Sequence, residues 1–287
     1  MSGPPAAPER PAVPAVPAVP AVPAVPAVAG RVAVVTGASR GLGAGLAAHF
    51  AASGMHLGLC ARHRPVLAVR TRPTLYGDRV AAAEAPVLAA VDVTDRGALD
   101  RFAEAVVSRF GRIDLWVNNA GLLGPVGPLA EADPAAVART IDVDVTGVLH
   151  GSAVFAAHVR ARDGTGVLVN ISSGAATKPY VGWAVYCAAK AAVGQLTRVV
   201  ALEEARHGLR AHALAPGVVD TDMQATVRAA DEEAFPEVAR FRAYAADHRF
   251  NSPAWVADHI LALAFGPHPP DAVALRVPDQ PVPGHSG

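Results

Sequence analysis

The sequence predicts an α/β fold, a single doubly wound parallel sheet with helices on both faces. Three observations predict it. Short β-rich runs alternate with longer alanine-rich segments from Arg31 onward, and a glycine cluster directly follows the first run. The composition, 52% hydrophobic and 17% charged over 287 residues, is that of a globular core and excludes a disordered polar chain. Equal counts of 25 basic and 25 acidic side chains argue against a nucleic acid or a membrane surface as partner. Two cysteines, Cys60 and Cys187, build no disulfide framework and suit a reducing, cytoplasmic compartment. The 11 histidines show no paired ligand spacing, so no metal site is expected.

The chain opens on a segment set apart, residues 1–29. From Pro11 to Val28 the triplet Pro-Ala-Val repeats without interruption. Proline at every third position removes backbone donors, so this apolar stretch cannot be a membrane helix. It has no uninterrupted apolar core of a secretory signal, and its period suits a solvated polyproline II spacer. The expectation is a disordered repeat tail over 1–29, one domain over 30–279 and a flexible end over 280–287.

Within the domain, Arg31–Thr36 reads as a buried strand and Gly41–Ser53 as the helix after it. Met55–Ala61, Val87–Val91, Ile113–Asn118 and Val167–Ile171 read as further short strands. Asp95–Phe110, Asp133–Val159 and Trp183–Arg206 have helical length and pattern. Pro65 and Pro73 interrupt any helix between Arg62 and Glu84, and that stretch has no assignment. Ligands of such sheets bind at the carboxyl ends of the strands, so the chemistry belongs just after each strand.

After the first strand comes Thr36-Gly37-Ala38-Ser39-Arg40-Gly41-Leu42-Gly43. Glycines between strand and helix let backbone N–H groups approach a pyrophosphate, and the helix N-terminus favours its charge, as in the Rossmann type of nucleotide site. The second strand ends Leu59-Cys60-Ala61-Arg62, without the carboxylate that would bind a ribose 2′-hydroxyl. Arg40 and Arg62 can instead clamp a 2′-phosphate, which favours NADP(H) over NAD(H). Asp92-Val93 falls where an adenine edge would lie, and a helix-capping role for Thr94 or Asp95 is an equal reading of that stretch.

Further on, Asn170-Ile-Ser-Ser173 precedes Tyr186-Cys-Ala-Ala-Lys190. Tyrosine and lysine four apart on a helix project from one face. An ammonium beside a phenol favours the phenolate, which prepares the phenol for general acid–base work. Ser173 can hydrogen-bond a substrate oxygen. Only two lysines occur in the chain, Lys178 and Lys190, so one stands where this chemistry needs a compact ammonium.

With these motifs the chain, from Gly30 to about Asp279, resembles the short-chain dehydrogenases/reductases. Thr36 to Gly43 is similar to the family's nucleotide motif, and Asn118-Asn119-Ala120-Gly121 to its Asn-Asn-Ala-Gly motif. Ser173, Tyr186 and Lys190 fall on its catalytic serine, tyrosine and lysine. Pro216-Gly217-Val218-Val219-Asp220-Thr221 resembles the segment that holds the nicotinamide, with Met223 just beyond. The resemblance therefore implies cofactor contacts from Gly37, Ser39, Arg40, Gly41, Leu42, Gly43, Arg62, Asp92, Val93, Asn119, Ala120, Gly121, Tyr186, Lys190, Pro216, Gly217, Val219, Thr221 and Met223. Asn170 to Cys187, Ala201 to Glu204 and Asp220 to Met223 resemble the branch of sepiapterin and benzil reductases. That likeness implies NADPH-dependent reduction of a ketone or diketone carbonyl. An oxidative alcohol dehydrogenase, or a nucleotide-binding sensor or scaffold without catalysis, is the alternative.

Two departures from the family stand out. Asp144 takes the place of an asparagine that supports a water linking the lysine to solvent. Arg276 stands where sepiapterin reductases carry an aspartate that pairs with the pterin, which favours the benzil-reductase side. Candidate substrate residues are Ser173, Trp183, Tyr186 and Leu122, with Leu123, Tyr180, Met223, Phe241 and Tyr244 as further pocket candidates; core packing is the competing reading for each. Small apolar residues along Ala188–Leu202 suit helix pairing between subunits, and the resemblance implies a homodimer or homotetramer.

Overall fold

A computed structural model describes residues 16–19, 27–67, 84–162, 164–267 and 270–281. Much of the unassigned stretch Arg62–Glu84, and most of the two ends, lie outside them. Seven parallel strands form one sheet in the order β3-β2-β1-β4-β5-β6-β7. They are β1 (Val32–Thr36), β2 (His56–Ala61), β3 (Val87–Ala90), β4 (Leu115–Asn118), β5 (Gly166–Ile171), β6 (Leu209–Ala215) and β7 (Ala274–Arg276). The order reverses direction between β1 and β4, and a crevice opens there at the strands' carboxyl ends.

The helices are α1 (Gly41–Ala52), α2 (Arg96–Phe110), α3 (Pro134–Ile141), α4 (Gly147–Ala161), α5 (Ala184–Glu204), α6 (Asp222–Arg228), α7 (Val238–Ala246) and α8 (Pro253–Phe265). The strands β1, β4 and β5 are buried along their whole length because helices cover both faces. One core, including Leu46, Phe50, Leu57 and Ile260, lies under α1 and α8. The other, including Phe102, Trp116, Phe155 and Leu168, lies under α2 and α4. Asp95, not Thr94, caps α2 by accepting from Ala98 N–H at 2.9 Å, and Gly111 ends it in the left-handed conformation (φ 79°). α5 is long and apolar enough to cross a membrane, but here it packs on the sheet with Val185, Ala189, Val193 and Val200 buried.

Three expectations are corrected. The segment Asp133–Val159 is not one helix: a π-helical turn, Asp142–Thr146, separates α3 from α4. The sheet gains two strands, β6 and β7, beyond the five read from sequence. The repeat does not stand wholly apart. Ala18 bridges Arg276 on the free edge of β7, with Val19 N–H donating to the Arg276 carbonyl at 2.8 Å and Arg276 N–H to the Pro17 carbonyl at 2.9 Å. Val19 and Val28 are each 3% exposed and belong to the core under α1. Among the described residues the pairing has these two hydrogen bonds, and Pro17 and Pro278 lack the N–H groups that would extend it directly.

Buried polar groups carry a pH dependence. Burial pushes His212 on β6 down from 6.5 to about 4, although its Nδ1 meets the Ala272 carbonyl at 3.1 Å. The unfolded chain takes up this proton near pH ~6.5, whereas the fold resists it until about 4. Its contribution to stability is therefore complete above the unfolded value and is lost as the pH falls towards 4. Thermal melts should show Tm falling from about pH 6.5 downward, and His212→Asn should flatten that fall. An unchanged slope in the variant would assign the acid sensitivity to other groups.

Candidate active site

A cleft of about 1260 Å³ runs across the carboxyl ends of β1 to β6. Each predicted cofactor and substrate residue lines it, from Gly37 after β1 and Arg62 after β2 to Pro216 after β6. Asp144, the departure from the family's asparagine, does not line the cleft but lies behind its wall, fully buried.

The glycine turn is held from below. Thr36 Oγ1 accepts from the N–H groups of Asn119 at 3.0 Å and Ala120 at 3.1 Å. The Asn119 side chain donates back to the Thr36 carbonyl at 3.0 Å and to the Gly37 carbonyl at 3.3 Å. Its amide is thus spent on the turn, and Asn119 shapes the cofactor site rather than offering those protons to a ligand. A Cβ on Gly37 would lie 2.7 Å from Ala120 Cα, so the glycine is required by this close approach as well as by its φ of 67°. Arg40, the N-cap of α1, makes no side-chain capping bond, which leaves the first-turn N–H groups of the helix to an anion. A dinucleotide's pyrophosphate fits this cradle. Arg40 and Arg62 both border it; the Arg40 Nη1 pairs with Asp222 at 3.2 Å on the surface. Asp92 also borders it, with Oδ1 accepting from Thr94 N–H at 3.0 Å and Thr94 Oγ1 at 2.9 Å.

Tyr186 and Lys190 rise from the first two turns of α5 and are 8% and 5% exposed. The Lys190 ammonium lies 5.5 Å from the centre of the Tyr186 ring and donates to the Ile171 carbonyl at the end of β5 at 3.3 Å. Burial alone would lower the lysine's pKa, but the Asp144 carboxylate and then the Tyr186 phenol more than offset it, so the pKa ends above its usual range. Ser173 follows β5 and accepts from Ala175 N–H at 3.1 Å, which leaves its own proton for a substrate oxygen.

Sequence reading missed what fixes α5 to the sheet. Asn118 donates to Asn170 Oδ1 at 2.8 Å, and Asn170 donates to Thr197 Oγ1 at 3.0 Å. All three are buried. This chain ties β4, β5 and α5 together one layer below the site and sets the height of Tyr186. The repeated asparagine at strand ends was its only signal.

One end of the cleft is aromatic. Trp183 meets Tyr186 edge-on at 5.5 Å, Tyr180 at 5.0 Å and Phe241 at 5.4 Å. Phe235, not among the sequence candidates, stacks on Trp183 at 4.4 Å and is fully buried. Lys178 also lines this end, bonded to Glu237 at 3.0 Å. Val16 and the Arg276 side chain border the cleft too, so the repeat supplies part of its wall. Among the described residues, no group of three His, Cys, Asp or Glu side chains is placed to hold a metal ion.

Residues 31–232 match the family model described as short chain dehydrogenase. The chain belongs to this family. It is similar to the 3beta-hydroxysteroid dehydrogenase 1 of Eggerthella lenta, with 38% identity over 205 residues, 71% of this chain and 76% of the relative. It is also similar to the benzil reductase ((S)-benzoin forming) of Bacillus subtilis, with 28% identity over 237 residues, 80% of this chain and 91% of the relative. The crystal structure of 3-ketoacyl-(acyl-carrier-protein) reductase from Brucella melitensis complexed with NADH superposes with a TM-score of 0.70 at 27% identity, covering 88% of this chain and 98% of that one. An oxidoreductase that interconverts carbonyl and alcohol with a nicotinamide cofactor accounts for the family and the fold together.

Proposed function

We propose that the protein is an NADPH-dependent carbonyl reductase for a ketone or diketone flanked by apolar or aromatic groups. One observation carries this reading: Tyr186, backed by Lys190, stands in a single cleft between the arginine-bordered cradle and the aromatic wall. The benzil reductase relative supports the diketone class.

When bound, the dinucleotide supplies the hydride. The protein's part is to place the carbonyl and its proton. The Ser173 and Tyr186 hydroxyls donate hydrogen bonds to the carbonyl oxygen, and the Tyr186 proton passes to it as negative charge develops there. Lys190 holds positive charge behind the phenol through that step, and its ammonium would hold the cofactor's ribose. Trp183, Tyr180 and Phe241 exclude water from the substituents of the carbonyl.

Cofactor choice rests on Arg40 and Arg62. Replacing both by alanine should raise KM for NADPH about tenfold or more, the loss of roughly 1.4 kcal/mol of phosphate binding. KM for NADH should stay within about twofold, because the forked guanidinium groups grip a 2′-phosphate that NADH does not carry. The function itself is tested by NADPH consumption across a panel of diketones, ketones and pterins, with products identified. Turnover of pterins in preference to diketones would contradict the substrate class. NADPH binding without turnover on any carbonyl would favour a sensor. We further propose a cytoplasmic homodimer or homotetramer whose contact covers Leu149 on α4 and Val199 and Leu202 on α5, apolar side chains that are exposed in the single chain.

A further inference from the structure

We propose that Asp144 is a positioning carboxylate that holds Lys190 in a direct ion pair and thereby sets the pH above which carbonyl reduction falls off. This rests on the reading that Tyr186 and Lys190 carry the proton transfer. The carboxylate touches neither substrate nor cofactor space, because it is fully buried and does not border the cleft. It acts through the lysine.

The geometry is closed on every side. The π-helical turn Asp142–Thr146 adds one residue to each turn's span and directs Asp144 inward, while its neighbour Asp142 is exposed. Asp144 Oδ1 accepts from Leu122 N–H at 2.7 Å, and Oδ2 lies 3.2 Å from Lys190 Nζ. Gly121 roofs the pair. A Cβ there would lie 3.4 Å from Asp144 Oδ2 and 3.5 Å from Lys190 Nζ. Lys190 donates to the Ile171 carbonyl, keeps Asp144 Oδ2 in ion-pair range without a hydrogen bond of ordinary geometry, and still borders the cleft.

Among the described groups, Asp144 and Tyr186 are the two whose charges bear on Lys190. The other elements around it bring none that competes. β6 contributes His212, neutral at working pH because burial holds it at about 4. α3 contributes Arg139, which is exposed, and α4 contributes Arg160, which is paired with Glu204. Beyond β5, Lys178 is paired with Glu237.

Charge counting then decides the direction. With Asp144 ionised, Lys190 protonated and Tyr186 protonated, the cluster is neutral, and loss of the phenol proton leaves a net negative charge in a buried wall. With an amide in place of the carboxylate, the same loss takes the cluster from positive to neutral. The carboxylate therefore disfavours proton loss. Reduction needs that proton in place, so Asp144 extends reduction to higher pH. Oxidation of the alcohol needs it gone, so the same residue delays oxidation to higher pH. An asparagine at this position would do neither.

Asp144→Asn preserves the shape and leaves an oxygen for Leu122 N–H. In the full chain, the alkaline limb of kcat/KM for benzil reduction by NADPH should move down by about one pH unit or more. The rising limb of benzoin oxidation should move down with it, while NADPH binding by fluorescence titration is retained. Coincident limbs in wild type and variant, with NADPH still bound, would overturn the proposal. If the variant does not fold, the wild-type lysine signals decide. The chain contains two lysines, so 13C-lysine NMR gives two side-chain resonances, assigned with Lys178→Arg. The Lys190 resonance should show no titration up to about pH 10, since its pKa lies above the usual 10.5. Deprotonation below about pH 9 would overturn the ion pair. Failure of the underlying reading looks different: there, Tyr186→Phe would keep its turnover whatever Asp144 does.

Discussion

Tyr186→Phe should abolish turnover while NADPH still binds. The substitution removes one oxygen and one proton and keeps the ring, so the edge-on contact with Trp183 at 5.5 Å and the packing of α5 survive. Nothing else at the site replaces the lost acid. Ser173 is a poor proton donor, and Lys190 is held in its charged form beside the Asp144 carboxylate. Loss of a positioned general acid costs about 10²–10⁴-fold, and the upper half of that range is expected here because the aromatic wall excludes water. Steady-state rates on a diketone, beside NADPH fluorescence titration of the same preparation, check it. Activity above a few per cent of wild type would remove Tyr186 from the chemistry.

Gly43→Ala should cost NADPH binding severely. A Cβ at residue 43 would lie 2.4 Å from the Gly37 carbonyl oxygen and 2.4 Å from Asn119 Nδ2. These are the two groups that hold the turn closed, so the methyl has to break the Asn119 to Gly37 hydrogen bond or displace backbone. Overpacking of this kind costs roughly 1–3 kcal/mol. Delivered at the cradle, it should weaken NADPH by about 10- to 100-fold, at 1.4 kcal/mol for each factor of ten. Calorimetric titration with NADPH reads this directly. Affinity within about twofold of wild type would show that the turn has room the geometry denies it.

Much of this site was legible because the chemistry sits at strand ends. Gly37, Arg62, Asn119 and Pro216 follow a strand directly and Asp92 and Ser173 one residue later, and a parallel sheet gathers such positions into one cleft. Other features left weaker traces. The π-helical turn at Asp142–Thr146 shifts the register by one residue, which a helical pattern over Asp133–Val159 absorbs without a visible break. Phe235 has the signature of any core aromatic, and only contact with Trp183 places it behind the substrate end. The docking of Pro17 to Val19 on β7 rests on two backbone hydrogen bonds and one buried valine, and the same triplet recurs along the repeat. Nothing in the side chains singles out that copy. Asp144 is the instructive case: the sequence showed a departure at that position, and the geometry turned it into a direct contact with Lys190.

Initial rates of benzil reduction with NADPH and NADH at neutral pH test most directly whether this cleft reduces a carbonyl with NADPH. Benzoin should form with kcat/KM for NADPH at least about tenfold above that for NADH, because Arg40 and Arg62 would hold the 2′-phosphate. Turnover that prefers NADH, or NADPH bound without any benzoin formed, would contradict it.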